Sequence, residues 1–379
     1  MRMFATRWLV FLLLVPMAVG NSAELQPTSV ELGAEPSMFT MVSMANSVPD
    51  HTLLVVGMLL IRGDHPHLSA KLWRIATDRE LPKARVQEIS PDAGAPMSES
   101  LSAVGTKGDA SILAGSLASG GLGIFQIDAA GRFSILGTPP KFDEAVVVHR
   151  VVKTFGGRLL LLGQLGGKPF AALFDEHGSM LWKQLVGKDV SGVLLDGRLL
   201  KNGGFMVVGS ALSGSLKDRK EQPLIAEIDP QGKIARELLF DDDKVLTGMA
   251  WQDLEIAPVH PTTKESPQLV WLQTLSKGVS QADVLPLSRN ILIREFSFPL
   301  GTEKAVLVDY ERGAPRVRIV NRHGAVLEQK TFQEGQLSPA SMTAIMNEGV
   351  LYIAGPAFRL ENGKDLRGFI RVLAVRIGE

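Results

Sequence analysis

The chain has 379 residues, of which 45% are hydrophobic and 21% charged, a composition typical of a folded globular protein. Lysine plus arginine equals aspartate plus glutamate at 40 each, so the sequence lacks the basic excess expected of a nucleic-acid-binding protein. It contains no cysteine, which excludes disulfides, thiolate metal sites, cysteine nucleophiles and a lipid-modified N-terminal cysteine.

The N-terminus has the pattern of an export signal. Arg2 and Arg7 form a positive region before an apolar run from Trp8 to Val19, which is too short to cross a bilayer as a helix. Small residues favour cleavage after Gly20; cleavage after Ala23 and an uncleaved membrane anchor are the alternatives. We therefore expect a signal peptide at 1–20, a single domain at 21–379, a periplasmic or secreted location, and no membrane span after signal removal.

A short apolar run recurs along the chain and usually ends in glycine, as in Phe205–Gly209. The runs end at Gly57, Gly115, Gly163, Gly209, Gln273, Asp309 and Gly355. Successive separations are 58, 48, 46, 64, 36 and 46 residues, a period near that of one propeller blade. The uneven spacing around Gln273 predicts an insertion near 258–267 and a deletion near 299–302.

A second motif follows four of the seven runs: aspartate or asparagine with glycine three residues later. Its copies are Asp128–Gly131, Asp175–Gly178, Asp229–Gly232 and Asn321–Gly324. The carboxylate or amide can accept a hydrogen bond from its own backbone two residues on, and glycine adopts a positive φ without steric cost. Each copy predicts a tight hairpin turn.

The units indicate an all-β fold. Four short strands joined by tight turns form an antiparallel meander, and the nearly continuous apolar run indicates a strand buried on both faces. Radial packing of such sheets leaves only short, protected edges. We predict a seven-bladed β-propeller of four-stranded antiparallel blades; a six-bladed ring with an irregular insertion is the runner-up. An open solenoid is disfavoured because no polar capping unit is visible.

Two units are expected to be irregular. The sixth follows the fifth so closely, across 299–302, that it is predicted to lack its first strand. The last unit ends at Phe369–Ile377 and has room for only three strands. The stretch Leu25–Leu32 precedes the first complete unit, so we predict that it pairs with the last unit and closes the ring.

Two segments carry a family resemblance. Gly203–Gly209, followed by Ala226–Gly232, resembles the repeats of bacterial secreted β-propeller proteins, including the short propeller repeats of surface proteins. Phe174–Trp182 resembles a pyrroloquinoline-quinone-type propeller repeat, in which a tryptophan docks between blades. The resemblance implies a propeller with Trp182 in the docking position. It supplies no cofactor ligand, and no cofactor is predicted.

Candidate site residues lie in loops that follow the apolar runs or join units, which propellers gather on one face. The rim predicted there comprises Asp64, His65, His67, Lys217, Arg219, Asp241, Asp242, Asp243, Lys364 and Arg367. Its mixed charge suits a protein or a polar extracytoplasmic ligand. An ordinary solvated surface is the alternative.

Metal binding stays open. His65 and His67 could direct two imidazoles at one ion with help from Asp64, but no distant ligand is identified and exposed histidines are the alternative. The carboxylates at 241–243 could hold calcium, but their spacing is not that of an EF-hand loop and a solvated turn is the alternative.

The sequence contains no Gly-x-Ser-x-Gly elbow and no glycine-rich phosphate loop at a strand–helix junction. We therefore predict a non-catalytic binding or scaffold protein, and nucleic acid is not expected as a partner. The alternative is a hydrolase- or lyase-like enzyme whose residues come from several blades and converge on the central channel.

Overall fold

The structure is a computed structural model. It describes residues 25, 27–35, 37, 39–47, 51–61, 67–78, 80–89, 101–107, 110–116, 121–128, 130–187, 190–200, 202–213, 220–239, 244–246, 254–261, 268–275, 278–286, 296–300, 304–311, 314–321, 325–333, 337, 342–362 and 365–378. Within these ranges, no helix is long and apolar enough to cross a membrane.

The strands in these ranges pair into seven four-stranded antiparallel sheets, numbered here as blades 1 to 7. Strand β1 (Pro27–Glu35) comes first in the chain. Blade 1 contains β2 (Phe39–Ser47), β3 (Thr52–Ile61), β4 (His67–Ala76) and β5 (Val86–Ile89). Blade 2 contains β6 (Leu101–Lys107), β7 (Ala110–Ser116), β8 (Leu122–Ile127) and β9 (Phe133–Leu136). Blade 3 contains β10 (Val146–Lys153), β11 (Leu159–Leu165), β12 (Lys168–Phe174) and β13 (Met180–Leu185).

Blade 4 contains β14 (Ser191–Leu199), β15 (Phe205–Ser213), β16 (Lys220–Ile228) and β17 (Ile234–Leu239). Blade 5 contains β18 (Lys244–Leu246), β19 (Leu254–Pro261), β20 (Gln268–Leu275) and β21 (Gly278–Pro286). Blade 6 contains β22 (Phe296–Leu300), β23 (Lys304–Glu311), β24 (Ala314–Asn321) and β25 (Val326–Thr331). Blade 7 contains β26 (Thr343–Asn347), β27 (Val350–Glu361) and β28 (Asp365–Arg376), with β1 as its fourth strand. Short 3₁₀ turns lie at Leu81–Lys83 and Phe155–Gly157.

The blades are arranged radially. First strands contact one another around the inside: β2 contacts β6 and β26, β10 contacts β6 and β14, and β22 contacts β26. Buried apolar clusters lie between neighbouring blades rather than within one blade. Side-chain burial is described in six of the sheets; for blade 5 the structure describes backbone pairing, with contacts to both neighbours. An all-β propeller with four-stranded antiparallel blades is confirmed.

The N-terminal strand closes the ring. Strand β1 pairs antiparallel with β28, in a register that runs from Pro27 opposite Val375 to Leu32 opposite Ile370. Leu25 and Leu32 are 1% and 2% exposed and pack in the clusters on either side of blade 7. The predicted pairing of the two ends of the domain is confirmed.

The predicted insertion and deletion are wrong. The second strands of blades 1 to 7 begin at residues 52, 110, 159, 205, 254, 304 and 350, so their separations are 58, 49, 46, 49, 50 and 46 residues. The run Leu269–Gln273 lies in β20, a third strand, and β22 is the first strand that blade 6 was expected to lack. Third strands such as β12 and β24 are as buried as second strands, so an apolar run alone does not distinguish them.

The turns that join third and fourth strands have the predicted geometry. In three of them the aspartate Oδ1 accepts hydrogen bonds from the backbone N–H groups two and four residues on; the aspartates are Asp128, Asp175 and Asp229. Asn321 Oδ1 accepts from the N–H of Ala325 in the same way. The glycines Gly131, Gly178 and Gly232 have φ values of +83°, +82° and +87°. Gly324 lies outside the described residues.

Trp182 in β13 docks on the next blade. Its Nε1–H donates to the carbonyl oxygen of Pro230 at 3.2 Å, and its ring meets Phe205 edge-on with centroids 5.8 Å apart. A Cβ placed on Gly232 would lie 2.6 Å from the indole. The outer strand of blade 3 is therefore held against the Asp229–Gly232 turn of blade 4, which is the docking predicted for this tryptophan.

Candidate functional site

Most of the predicted rim lies in connections outside the described residues. Every blade repeats the same strand order, so the second strands all end at one face, which we call the connection face. In the sequence, the rim residues fall after β3, β15, β17 and β27, each of which ends at that face. The residues outside the description are Asp64, His65, Lys217, Arg219, Asp241, Asp242, Asp243 and Lys364. They stay predictions, as does metal binding at 64–67 or 241–243.

Two rim residues fall within the described ranges. His67 begins β4, where only its backbone is described. Arg367 lies in β28, and its Nε is 3.1 Å from Oε2 of Glu361 at the end of β27. On the same hairpin, Phe358 and Leu360 are each 60% exposed. The structure therefore places Arg367 in an ion pair within its own hairpin, which stabilises that hairpin and leaves the side chain partly exposed.

Two of the glycines that end the apolar runs lie where the first strand of the blade, its inner strand, comes too close for a side chain. A Cβ on Gly163 would lie 1.9 Å from the carbonyl oxygen of Val147, and one on Gly209 equally close to that of Val193. Directly after this close approach the inner strand contains a β-bulge, at His149 in β10 and in the same place in β14. A bulge redirects the side chains that follow it.

Charged side chains follow these two bulges. Arg150 pairs with Leu162 and Asp196 with Val208, so the two residues occupy the same position in consecutive blades. Arg150 Nε lies 3.3 Å from Asp196 Oδ1, and their side chains are 37% and 19% exposed. Asp196 Oδ1 also accepts the N–H of Gly197 at 2.9 Å. The first strands of blades 3 and 4 are therefore joined by an ion pair at the inside of the ring.

Arg198 adds a second positive charge to this position. It lies two residues after Asp196, on the same face of β14. We call Arg150, Asp196 and Arg198 the inner-ring cluster. Its described side chains are two guanidinium groups and one carboxylate, and Asp196 and Arg198 have further interactions beyond these three residues. Arginine stays protonated in proteins and has five N–H donors but no acceptor, so this cluster can bind and orient an anionic group but its arginines cannot transfer protons.

Sequence reasoning did not single out the inner-ring cluster. The only sequence signal for it was that two consecutive first strands each have a charged residue, Arg150 and Asp196, at the same position. The bulge itself was not readable, because it shows only in the register against β11 and β15.

A second charged cluster is buried in blade 6. Asp309 in β23 and Arg316 and Arg318 in β24 are 0%, 5% and 4% exposed. Asp309 ends an apolar run at the repeat position where most of the other runs have glycine. Within the described residues, the pairing of β22 with β23 runs from Leu300 opposite Lys304 to Phe296 opposite Val308, the residue before Asp309.

Three side chains outside both clusters have shifted pKa values, each with a structural cause. Burial acts to lower the pKa of Lys71, but its hydrogen bonds to Glu35 and Glu88 outweigh this and raise it. The backbone N–H of Arg132 lowers the pKa of Asp128 in its turn. Burial raises the pKa of Tyr352 in β27. In the described part of the chain, no three histidine or acidic side chains come together as metal ligands.

No protein-family model matches the chain, and no curated protein sequence is similar to it. Solved structures do match. The BP39L lectin from Burkholderia pseudomallei superposes with a TM-score of 0.59 at 11% identity, over 90% of this chain and 98% of the lectin. The periplasmic gluconolactonase PpgL of Pseudomonas aeruginosa has a TM-score of 0.52 at 13% identity, over 80% and 86%. The polysaccharide lyase Uly1 has a TM-score of 0.53 at 10% identity, over 93% and 100%.

The likeness is one of fold. At such identities it carries no activity, ligand or site residue over to this chain.

Proposed function

We propose that the chain is an exported, non-catalytic binding protein whose inner-ring cluster holds an anionic group of a polar ligand. The observation that carries the proposal is the Arg150–Asp196 pair, with Arg198 beside it, on the first strands of adjacent blades. These charged groups lie at equivalent positions of two adjacent first strands, at the inside of the ring. The partly exposed guanidinium of Arg150 favours an anionic group over a cation.

The pairing within the cluster leaves Arg150 able to bind. Its Nε is enclosed, and at 3.3 Å from Asp196 Oδ1 it makes an ion pair but no hydrogen bond with a described residue. Its side chain is also the more exposed of the two. A ligand carboxylate can therefore accept hydrogen bonds from the guanidinium while Asp196 keeps that group in position. Planar two-bond recognition of a carboxylate is the geometry for which arginine is suited.

Export is part of the proposal. The positive and apolar N-terminal segment at 1–20 supports a signal peptide, and the ligand would then be met in the periplasm or outside the cell. A protein partner that presents an acidic group and a small polar ligand are both compatible with the cluster. The propeller fold favours neither binding nor catalysis, because proteins described as a lectin, a lactonase and a lyase share it.

An enzyme is the second candidate. His149, the bulge residue of β10, lies next to Arg150, and Asp196 comes from the adjacent blade. A titratable imidazole and a carboxylate from two blades are the elements that a hydrolase- or lyase-like site in the channel would need. Turnover of a bound ligand that His149→Ala abolishes would establish this reading instead.

Native mass spectrometry can test the binding proposal. Wild-type protein would be incubated with oligosaccharides in two matched forms, carboxylated and carboxyl-reduced, and the bound masses compared. We expect adducts of the carboxylated forms, weakened about tenfold or more in Arg150→Met because a charged hydrogen bond is lost. Arg158→Met, which removes an exposed arginine from a turn of the same blade, is the control and should bind as wild type does. Equal binding of both forms, or of wild type and Arg150→Met, would contradict the proposal.

A further inference from the structure

Strands β27 and β28 form the longest hairpin that the structure describes. Each has 12 residues, whereas the other described strands have between 3 and 10. The first strand of the blade, β26, pairs with β27 only as far as Ala354, but β27 pairs with β28 up to Glu361 opposite Asp365. Residues 355–361, which we call the β27 extension, therefore continue beyond β26 toward the connection face.

The β27 extension carries the two most exposed large apolar side chains of the described residues. Phe358 and Leu360 are each 60% exposed, and strand alternation places both on one face of the strand. Gly368 lies opposite Phe358 on β28 and has no side chain to cover the ring. At the base of the extension, a Cβ on Gly355 would lie 3.2 Å from that of the buried Leu337. The exposed apolar surface therefore belongs to the end of the hairpin.

Ion pairs hold the end of the hairpin in place. Arg359 Nη1 donates to Oε2 of Glu31 in the closing strand at 2.8 Å, and its guanidinium lies 5.3 Å from the ring centre of the buried Phe369. Glu361 Oε2 accepts a hydrogen bond from Arg367 Nε at 3.1 Å, which joins β27 to β28. Because these contacts already order the extension, its binding to a partner loses little conformational entropy.

The charged side chains of the extension are complementary to those of an identical segment. Arg359 and Glu361 lie two residues apart on the face opposite the apolar side chains, and they are 50% and 40% exposed. If two copies run antiparallel about a two-fold axis at Leu360, each arginine faces the glutamate of the other copy. An axis at Arg359 or at Glu361 would set like charges against each other. The charges therefore favour one register.

We propose that the β27 extension is the interface with a second copy of the chain. The two extensions lie antiparallel, so that Leu360 packs on Leu360 of the partner subunit and Phe358 lies diagonally across from it. An Arg359–Glu361 pair joins the subunits on each side of the axis. An exposed strand with apolar side chains is a surface to which a further strand adds. The interface is separate from the inner-ring cluster, which lies in blades 3 and 4.

Charge-exchange variants test this interface through the molar mass in solution, measured by size-exclusion chromatography with light scattering over a wide range of protein concentration. We expect wild type to dimerise, and Arg359→Glu and Glu361→Arg each to weaken the dimer about tenfold or more, because each sets like charges opposite one another. An equimolar mixture of the two variants should form a heterodimer, since every glutamate then faces an arginine of the partner subunit. Ion pairs within one chain cannot produce this recovery.

Two apolar variants complete the test. Leu360→Ser should also weaken the dimer, whereas Leu327→Ser, at an exposed leucine of β25, should leave it unchanged. Circular dichroism verifies that each variant is folded. The proposal is overturned if wild type is monomeric at every concentration, which would leave the hairpin to a different partner, if Leu360→Ser dimerises as wild type does, or if the mixed charge variants stay monomeric. Arg150→Met should dimerise normally, which separates this outcome from failure of the inner-ring proposal.

Discussion

Lys71 in β4 forms an ion pair with Glu35, the last residue of the closing strand β1. The same ammonium group lies 3.2 Å from Glu88 Oε1 in β5. Lys71 and Glu35 are each only about a fifth to a quarter exposed. The pair therefore joins blade 7 to blade 1 at the place where the two ends of the domain meet.

Replacing Lys71 with methionine should lower stability by about 1 kcal/mol or less near neutral pH, because a partly exposed ion pair is worth little. The pKa of Lys71 is raised from 10.5, since its bonds to the two glutamates outweigh the effect of burial. Its contribution is fully present below 10.5 and is lost as pH rises through the higher folded-state pKa. The melting-temperature difference between wild type and Lys71→Met should therefore shrink between neutral pH and strongly alkaline pH. A difference that is constant across this range would contradict the assignment. Lys83→Met, at an exposed pair, is the control.

Removal of the closing strand should destabilise the whole ring. Deletion of residues 24–33 leaves β28 with an unpaired edge, so we expect a loss of several kcal/mol or aggregation. Leu32→Ala is a milder change that removes a buried side chain and should cost about 2–4 kcal/mol by chemical denaturation. Leu327→Ala, at an exposed leucine of β25, should cost much less. If the truncated protein has the same melting temperature as the full mature chain, β1 does not close the ring.

Trp182 and Gly232 should be energetically coupled. Trp182→Phe loses the hydrogen bond to Pro230 and should cost about 1 kcal/mol. Gly232→Ala should cost more in the wild type, because φ is +87° and the new Cβ would meet the indole. In a Trp182→Ala background the clash is gone and only the backbone strain is left, so the two changes should not be additive. Additive losses in a double-mutant cycle would mean that the tryptophan does not pack on this turn.

How far the sequence predicts the fold depends on the distance over which each interaction acts. The turns at Asp128, Asp175 and Asp229 were predictable because the side chain bonds backbone groups within four residues. Ring closure was predictable from the three strands visible in the last unit. The run Leu269–Gln273 was assigned to the wrong strand because second and third strands lie in mid-blade, where both faces are buried.

The candidate sites were less accessible to sequence analysis. Arg150 and Asp196 are 46 residues apart in number and meet only because two bulged inner strands are adjacent in the ring. Asp309 was visible as a departure from glycine in the repeat, but its partners Arg316 and Arg318 follow from the pairing of β23 with β24. A charged residue at a position that a repeat reserves for glycine is the signal that could have found this cluster.

Export predicts the start of the mature protein. N-terminal sequencing of protein purified from the cell envelope should give Asn21 or Glu24 as the first residue. Both cuts keep Leu25, which is 1% exposed in the core beside blade 7, and the whole of β1. An intact Met1 would count against export by cleavage, and a start beyond Leu25 would remove part of the closing contact.

The central claim is that the inner-ring cluster binds an anionic ligand without transforming it. Native mass spectrometry of wild type, Arg150→Met and Arg158→Met after incubation with an envelope extract tests it most directly. We predict an adduct on wild type and on Arg158→Met, reduced at least about tenfold on Arg150→Met, whose mass is unchanged by prolonged incubation. An adduct retained in full by Arg150→Met, or one that is replaced over time by product masses, would contradict the claim.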